Sequence, residues 1–375
     1  MTEACITAAQ TVTGLGPDLD ALWRGTMAGE SAIRPVTRFA AARYLSGNAS
    51  CIEGLEGGGS RIYPLLERLL DRFPAVPGDC HLLLASTKGC VDVMERLQQG
   101  DETADPGQLP MEDLLRRVGA RAGVTGPAVN INAACASSTL AVARAAALIA
   151  AGRSDAVLVV CLDLVSEFVF SGFSALQALS PSVCRPFDRN RDGLTLGDGG
   201  AALLLMSRGR AAREGRPELG VVAGWGAAND ATHITAPARD ACGLAQSVHQ
   251  ALARAALVPG DIAAISAHGT ATPYNDAMEL TAFRAIFAGR DLPMNSIKGA
   301  IGHTLGAAGG IEAALGLRCL AEGMLPPTAG LREPEPEGEG LVSAAPQPIR
   351  GRYLLSTNSG FGGVNAALIL RRGEP

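Results

Sequence analysis

Gly197-Asp198-Gly199-Gly200-Ala201-Ala202-Leu203-Leu204-Leu205 and Gly360-Phe361-Gly362-Gly363-Val364-Asn365-Ala366-Ala367-Leu368-Ile369-Leu370 are two versions of one pattern, a glycine turn feeding an aliphatic strand. Each follows, some way upstream, a small-residue turn that opens a helix: Ala133 to Ser138 in the first case, Gly302 to Gly310 in the second. Self-similarity of this kind points to a duplicated supersecondary unit, with halves at about 1–208 and 218–372. Further short aliphatic runs bounded by Gly, Pro or Asp read as strands at His81 to Ala85, Ala156 to Cys161, Gly220 to Ala223, Ile262 to Ala267 and Arg352 to Thr357. Helical spacing predicts helices over Ser137 to Ala151, Gly243 to Ala256 and Gly309 to Glu322. The alternation predicts an α/β fold with buried sheets. Segments 48–60 and 332–340 are rich in turn residues and are expected to be surface loops.

With 47% hydrophobic and 18% charged residues among 375, the chain is long enough for a large core and too apolar for disorder. A formal charge of -5 gives no global attraction to nucleic acid. Nine scattered cysteines without a C-x-x-C pair suit a reducing compartment. The start lacks the cationic and apolar runs of a signal peptide, and the most apolar stretch, Thr139 to Ala151, is interrupted by Arg144. A cytoplasmic protein without a membrane segment is expected. No metal-ligand spacing of Cys or His is present, and no Gly-x-Gly-x-x-Gly follows a first strand as a nucleotide-binding protein would need.

Val129-Asn130-Ile131-Asn132-Ala133-Ala134-Cys135-Ala136-Ser137-Ser138 passes from an extended run through a small-residue turn into an apolar helix. Cys135 then sits at or just before a helix N-terminus, where unpaired N–H groups and the helix dipole are expected to lower a thiol pKa and to hold an oxyanion. Two of the five histidines occupy strand-to-turn junctions: His268 in Ala267-His268-Gly269-Thr270-Ala271-Thr272-Pro273, and His303 in Lys298-Gly299-Ala300-Ile301-Gly302-His303-Thr304-Leu305-Gly306. Lys298 is one of two lysines in a chain that otherwise uses arginine.

These motifs, with Arg185-Pro186-Phe187-Asp188-Arg189-Asn190-Arg191-Asp192-Gly193 and Asn358-Ser359-Gly360-Phe361-Gly362-Gly363, resemble the signature of the β-ketoacyl-acyl carrier protein synthases from about residue 125 to the end. The resemblance implies a thiolase-like fold of two duplicated α/β halves in a layered α-β-α-β-α arrangement. It implies decarboxylative condensation of an acyl thioester with a malonyl thioester. Cys135 would carry the acyl group, with its own N–H and that of Phe361 as the oxyanion hole. His268 and His303 would donate hydrogen bonds to the malonyl thioester carbonyl. Lys298 matches the family's lysine and Glu279 its usual ion-pair partner, either acting directly or fixing the histidine loops as a buried salt bridge. Thr270 and Thr272 would bind the pantetheine arm, and Phe361 would gate the acyl pocket or simply pack in the core. The implied partners are an acyl carrier protein, which brings the phosphopantetheine so that no resident cofactor is needed, and a second copy or related subunit in a dimer. Arg61, Arg68 and Arg72 are spaced as a carrier-facing helix patch would be, and equally as a solvated helix face.

Several departures bear on substrate. Ala133, Gly299, Asn275 and Asp198 replace Thr, Ser, Gly and Glu of many members. Ser86-Thr87-Lys88-Gly89 stands where a glycine-rich turn is common, and with the short N-terminal region it resembles synthases of secondary pathways such as aryl polyene pigments. A biosynthetic thiolase would have a second cysteine in the closing turn, and a Cys-His-Asn synthase an asparagine in place of His303. The remaining alternative is a non-catalytic, chain-length-factor-like partner, a type that characteristically loses the nucleophile kept here as Cys135.

Overall fold

The computed structural model describes residues 2–288 and 290–374. Ten strands form one hydrogen-bonded sheet: β1 Ala4–Thr13, β2 His81–Ala85, β3 Ala128–Asn130, β4 Ala156–Asp163, β5 Gly199–Ser207, β6 Gly220–Asn229, β7 Ile262–Ser266, β8 Met294–Asn295, β9 Tyr353–Gly360 and β10 Val364–Arg372. Their order across the sheet is β8-β7-β9-β10-β6-β1-β5-β4-β2-β3. Outward from the centre, each half repeats one scheme: the chain's first, fifth, fourth, second and third strands, two antiparallel pairings followed by two parallel ones. Within the sheet the halves join at Ala4↔Val222, Cys5↔Val221 and Ile6↔Gly220.

Helices α1 Ile62–Asp71 and α2 Met111–Ala122 cover one outer face, α5 Cys242–Ala255 and α6 Pro273–Ile286 the other, and α4 Glu167–Ala175 packs Phe170 with Leu194 and Leu196. Between the half-sheets lie α3 Ser137–Ala150 and α7 Ala308–Glu322, each touching strands of both halves. The sequence dictates this placement. Both central helices are built from Ala, Gly and aliphatic residues with no polar face, which suits elements covered on every side. β4 and β5 are buried along their whole length, so they read as continuous aliphatic runs rather than alternating ones.

Two features differ from the sequence expectation. β1, the strand at the seam, was not among the expected strands. Residues 48–60 are not simply a surface loop: Ala49, Ser50, Ile52 and Leu55 are buried, and Ala49–Ser50 pairs with Leu196–Gly197. That pairing positions the segment that supports His303.

Candidate active site

Cys135 lies two residues before α3, in a turn whose Ala134 has φ +50, a left-handed conformation costing about 1 kcal/mol. Ser137 holds the turn, its Oγ accepting from Ala133 N at 2.9 Å and donating to the Ala134 carbonyl. Cys135 is 7% exposed, and the backbone N–H groups of Cys135 itself and of Phe361 act to pull its thiol pKa down.

His303 reaches the thiol from the other half, with Nε2 2.9 Å from Cys135 Sγ. Its backbone is clamped to the segment before β5: His303 N donates to Thr195 O at 2.6 Å, and Gly197 N donates to His303 O at 3.0 Å. The approach is so close that a Cβ on Gly197 would lie 2.0 Å from Ile301 O, and one on Gly302 2.4 Å from Leu196 O. Glycine is required at both crossing points. His268 follows β7, and its ring stands edge-on to that of His303 with centroids 5.3 Å apart.

Behind the rings lies a buried polar network. Lys298 Nζ donates to the His268 carbonyl and pairs with Glu312 Oε1 at 2.6 Å. Thr139 Oγ1 donates to Asn358 Oδ1, so the Asn358 amide nitrogen faces Glu312 Oε2 at 2.7 Å and His268 Nδ1 at 3.1 Å. Nδ1 of His268 is then an acceptor, which puts the ring proton on Nε2. This corrects one sequence expectation: Glu279 is not the ion-pair partner of Lys298. Its oxygens accept instead from His268 N at 2.7 Å and Gly269 N at 2.6 Å, and Asn275 Nδ2 also donates to it. Glu279 shapes the His268 turn, whereas Glu312 and Asn358, which sequence reasoning missed, hold the lysine and the ring. The one signal for Glu312 was an acidic residue on an otherwise apolar stretch of α7.

The thiol and both imidazoles line a cavity of about 850 Å³. Thr270 and Thr272 line it with their hydroxyls 2.9 Å apart, and Phe361 lines it with its ring 5.5 Å from that of Phe173. Every site residue expected from the sequence except Lys298 and Glu279 borders this one space. Arg61, Arg68 and Arg72 do not: they pair with Asp92, with the carbonyls of Glu53 and Gly54, and with Asp18, while the arginine on the cavity lining is Arg239.

Residues 116–211 match the family model "Beta-ketoacyl synthase, N-terminal domain", and residues 219–332 match "Beta-ketoacyl synthase, C-terminal domain". The ketoacyl synthase alpha subunit of the tetracenomycin polyketide synthase of Streptomyces glaucescens is 31% identical over 400 residues, covering 95% of this chain and 94% of the relative. The chain belongs to the β-ketoacyl synthase family. A 3-oxoacyl-[acyl-carrier-protein] synthase 2 of Staphylococcus aureus is 32% identical over 74% of this chain and 70% of its own length. The solved structure entitled "The ishigamide ketosynthase/chain length factor" superposes with a TM-score of 0.90 at 26% identity, covering 100% of both chains. The thiolase-like fold is thus established.

The electrostatics of this β-ketoacyl synthase differ in one respect from the sequence expectation. Burial pushes the Cys135 thiol up to about 12, outweighing the Lys298 charge and the two backbone N–H groups that pull it down. Burial also drives both imidazoles well below the usual histidine range, and the Lys298 charge adds to the effect. The resting site therefore holds a neutral thiol against a neutral imidazole. Alkylation of Cys135 by iodoacetamide should rise about tenfold per pH unit from about pH 7 to about pH 10. A plateau near neutrality in the rate–pH profile would show a thiolate–imidazolium pair instead.

Cys135, His268 and His303 offer three donor atoms within 4.8 Å of one another, a spacing an ion could share. The Lys298 ammonium, whose field already disfavours protonation of both rings, opposes a cation there. No helix among the described residues is long and apolar enough to cross a membrane. For the buried Lys298–Glu312 pair, Glu312→Ala should cost about 3–5 kcal/mol, because it leaves an ammonium buried without its counter-charge. Urea unfolding with an unchanged midpoint would remove Glu312 from that role.

Proposed function

We propose that this synthase forms carbon–carbon bonds by decarboxylative condensation, with Cys135 as acyl carrier and His268 and His303 as the groups that stabilise the malonyl-derived enolate. The observation that carries the reading is the meeting of Cys135 Sγ and His303 Nε2 at 2.9 Å in one cavity, with the His268 ring edge-on to that of His303. In acylation, Sγ attacks the thioester carbonyl carbon. Its proton leaves through His303 Nε2 and ends on the departing thiol, while the N–H groups of Cys135 and Phe361 hold the oxyanion. Once acylated, Sγ has no proton to offer, so the Nε2–H tautomer of His303 is favoured. His268 is already set in that tautomer by Asn358. Two N–H donors then meet the carbonyl oxygen of a malonyl thioester. Carbon dioxide departs, and its bonding electrons form the enolate. The enolate carbon attacks the acyl-Cys135 carbonyl, and collapse of the tetrahedral adduct releases the β-ketoacyl product and Cys135 thiolate, which takes a proton from water.

Both substrates would arrive on an acyl carrier protein, as the names of the curated relatives suggest, with Thr270 and Thr272 along the arm and Phe361 as the gate. The exposed Tyr274 and Arg239 lie on the cavity lining, where an apolar ring and a guanidinium could meet the carrier. The repeated strand scheme supports halves at 1–208 and 218–372. Dimerisation, with a second copy or a related subunit, would use β3, an edge strand paired only with β2, whose Val129 is 48% exposed. Fatty acid, polyketide and aryl polyene synthesis are the pathway types that this chemistry serves.

The test is intact-protein mass spectrometry after mixing with a panel of acyl carrier protein thioesters, then malonyl carrier protein. An acyl adduct on Cys135 that discharges into a β-ketoacyl product is the expected result. No adduct from any donor would favour a silent partner subunit.

A further inference from the structure

The turn that carries Thr270 and Thr272 is strained. Gly269 has φ +41 and Ala271 φ +68, the latter a left-handed conformation unfavourable for a residue with a Cβ. Such a turn persists only when its surroundings hold it: Gly269 is fixed by Glu279 Oε2 and Ser296 Oγ, and three further contacts hold the stretch after it. Gly193 N donates to Ala271 O at 3.1 Å, Ala271 N donates to Asp276 Oδ1 at 3.1 Å, and the third is the guanidinium of Arg191. Arg191 Nη2 donates to Pro273 O at 2.9 Å, and its Nε reaches Thr272 O at 3.4 Å. Its Nη1 donates to Asp188 O at 3.2 Å and pairs with Glu335, and Nε lies 3.9 Å from Asp276. The side chain is only 6% exposed, so its charge has given up water for these partners.

We infer that Arg191 is a positioning residue for substrate capture, locking the strained 269–272 turn so that the Thr270 and Thr272 hydroxyls face the arm that enters the cavity. The planar fork is what the position requires. It spans the carbonyl of Thr272 at the end of the turn, that of Pro273 at the start of α6, one carbonyl of the 185–191 segment and a carboxylate, which a lysine ammonium cannot do from one point. Arg191 does not line the cavity and touches no reacting atom. Its action therefore falls on binding of the arm and leaves the Cys135–His303 pair intact. The inference rests on the reading of Thr270 and Thr272 as arm-binding groups.

The experiment compares wild type, Arg191→Lys, Thr270→Val/Thr272→Val and the triple variant, all as full chains. Two rates are followed: acylation of Cys135 by an acyl carrier protein thioester, and alkylation of Cys135 by iodoacetamide, which needs no arm. Arg191→Lys should raise KM for the carrier thioester about tenfold and leave the alkylation rate within about twofold. In the Thr270→Val/Thr272→Val background the same substitution should change KM little, because its effect passes through those hydroxyls. Unchanged KM in Arg191→Lys, or a full tenfold effect that persists in the double-valine background, overturns the inference. So does a parallel fall in alkylation, which would mark Arg191 as structural support for the whole site. A wild-type chain that accepts no acyl group from the carrier overturns the condensing reading itself, and the inference with it.

Discussion

Cys135→Ala should abolish condensation, with a loss of at least about 10³-fold in product formation, while decarboxylation of the malonyl thioester remains measurable. The loss is large because the covalent route disappears with the sulfur. The residual activity follows from where the other groups are anchored. His303 is held by backbone bonds to Thr195 and Gly197, and His268 by Glu279 and Asn358; none of these contacts involves the thiol. Alanine removes only Sγ, so both N–H donors stay in place. Release of carbon dioxide from malonyl carrier protein, measured beside β-ketoacyl product, separates the two activities. Full condensing activity in this variant would refute the role given to Cys135.

His303→Ala should show the opposite pattern. Decarboxylation should fall by about 10²–10³-fold, the usual cost of removing one pre-placed donor from a developing oxyanion in a water-poor site. Acylation should be slowed, because Nε2 is the acceptor 2.9 Å from the thiol, but it should remain detectable since the oxyanion hole is untouched. The acyl-enzyme should therefore accumulate and fail to discharge when malonyl carrier protein is added. Decarboxylation at the wild-type rate would leave His268 as the sole donor and remove His303 from that step.

The strands that were legible are those buried on both faces. Ala156 to Cys161 and Ala201 to Met206 are unbroken aliphatic runs, and the structure only lengthens them, to Ala156–Asp163 and Gly199–Ser207. β1 escaped because Ala4-Cys5-Ile6-Thr7-Ala8-Ala9-Gln10-Thr11-Val12-Thr13 mixes small and polar residues without a period of two. It is nonetheless the strand along which the halves join, and its small side chains suit a position packed on both faces. The thiol pKa was misjudged for a related reason. A helix N-terminus is visible in a sequence and its field is local, but desolvation depends on everything that encloses Cys135, including residues far along the chain such as His303.

By itself the sequence determined the duplicated α/β plan, the cysteine and two histidines that meet in one cluster, and the family, because these reside in contiguous motifs in which residue type and local backbone conformation are coupled. Glycines and small residues mark each turn, and the chemistry-bearing side chain sits inside it. Only the tertiary structure decided which carboxylate faces Lys298, which nitrogen of His268 carries the proton, and that the thiol rests neutral. Those outcomes depend on how groups from α3, α7 and β9 satisfy one another once water is excluded. Glu279, eleven residues after His268, looks in sequence like the partner of the lysine, but its oxygens are taken by backbone N–H groups. Glu312 takes the ammonium because the packing of α7 between the two half-sheets brings a charge that must be compensated beside one that must be compensated too.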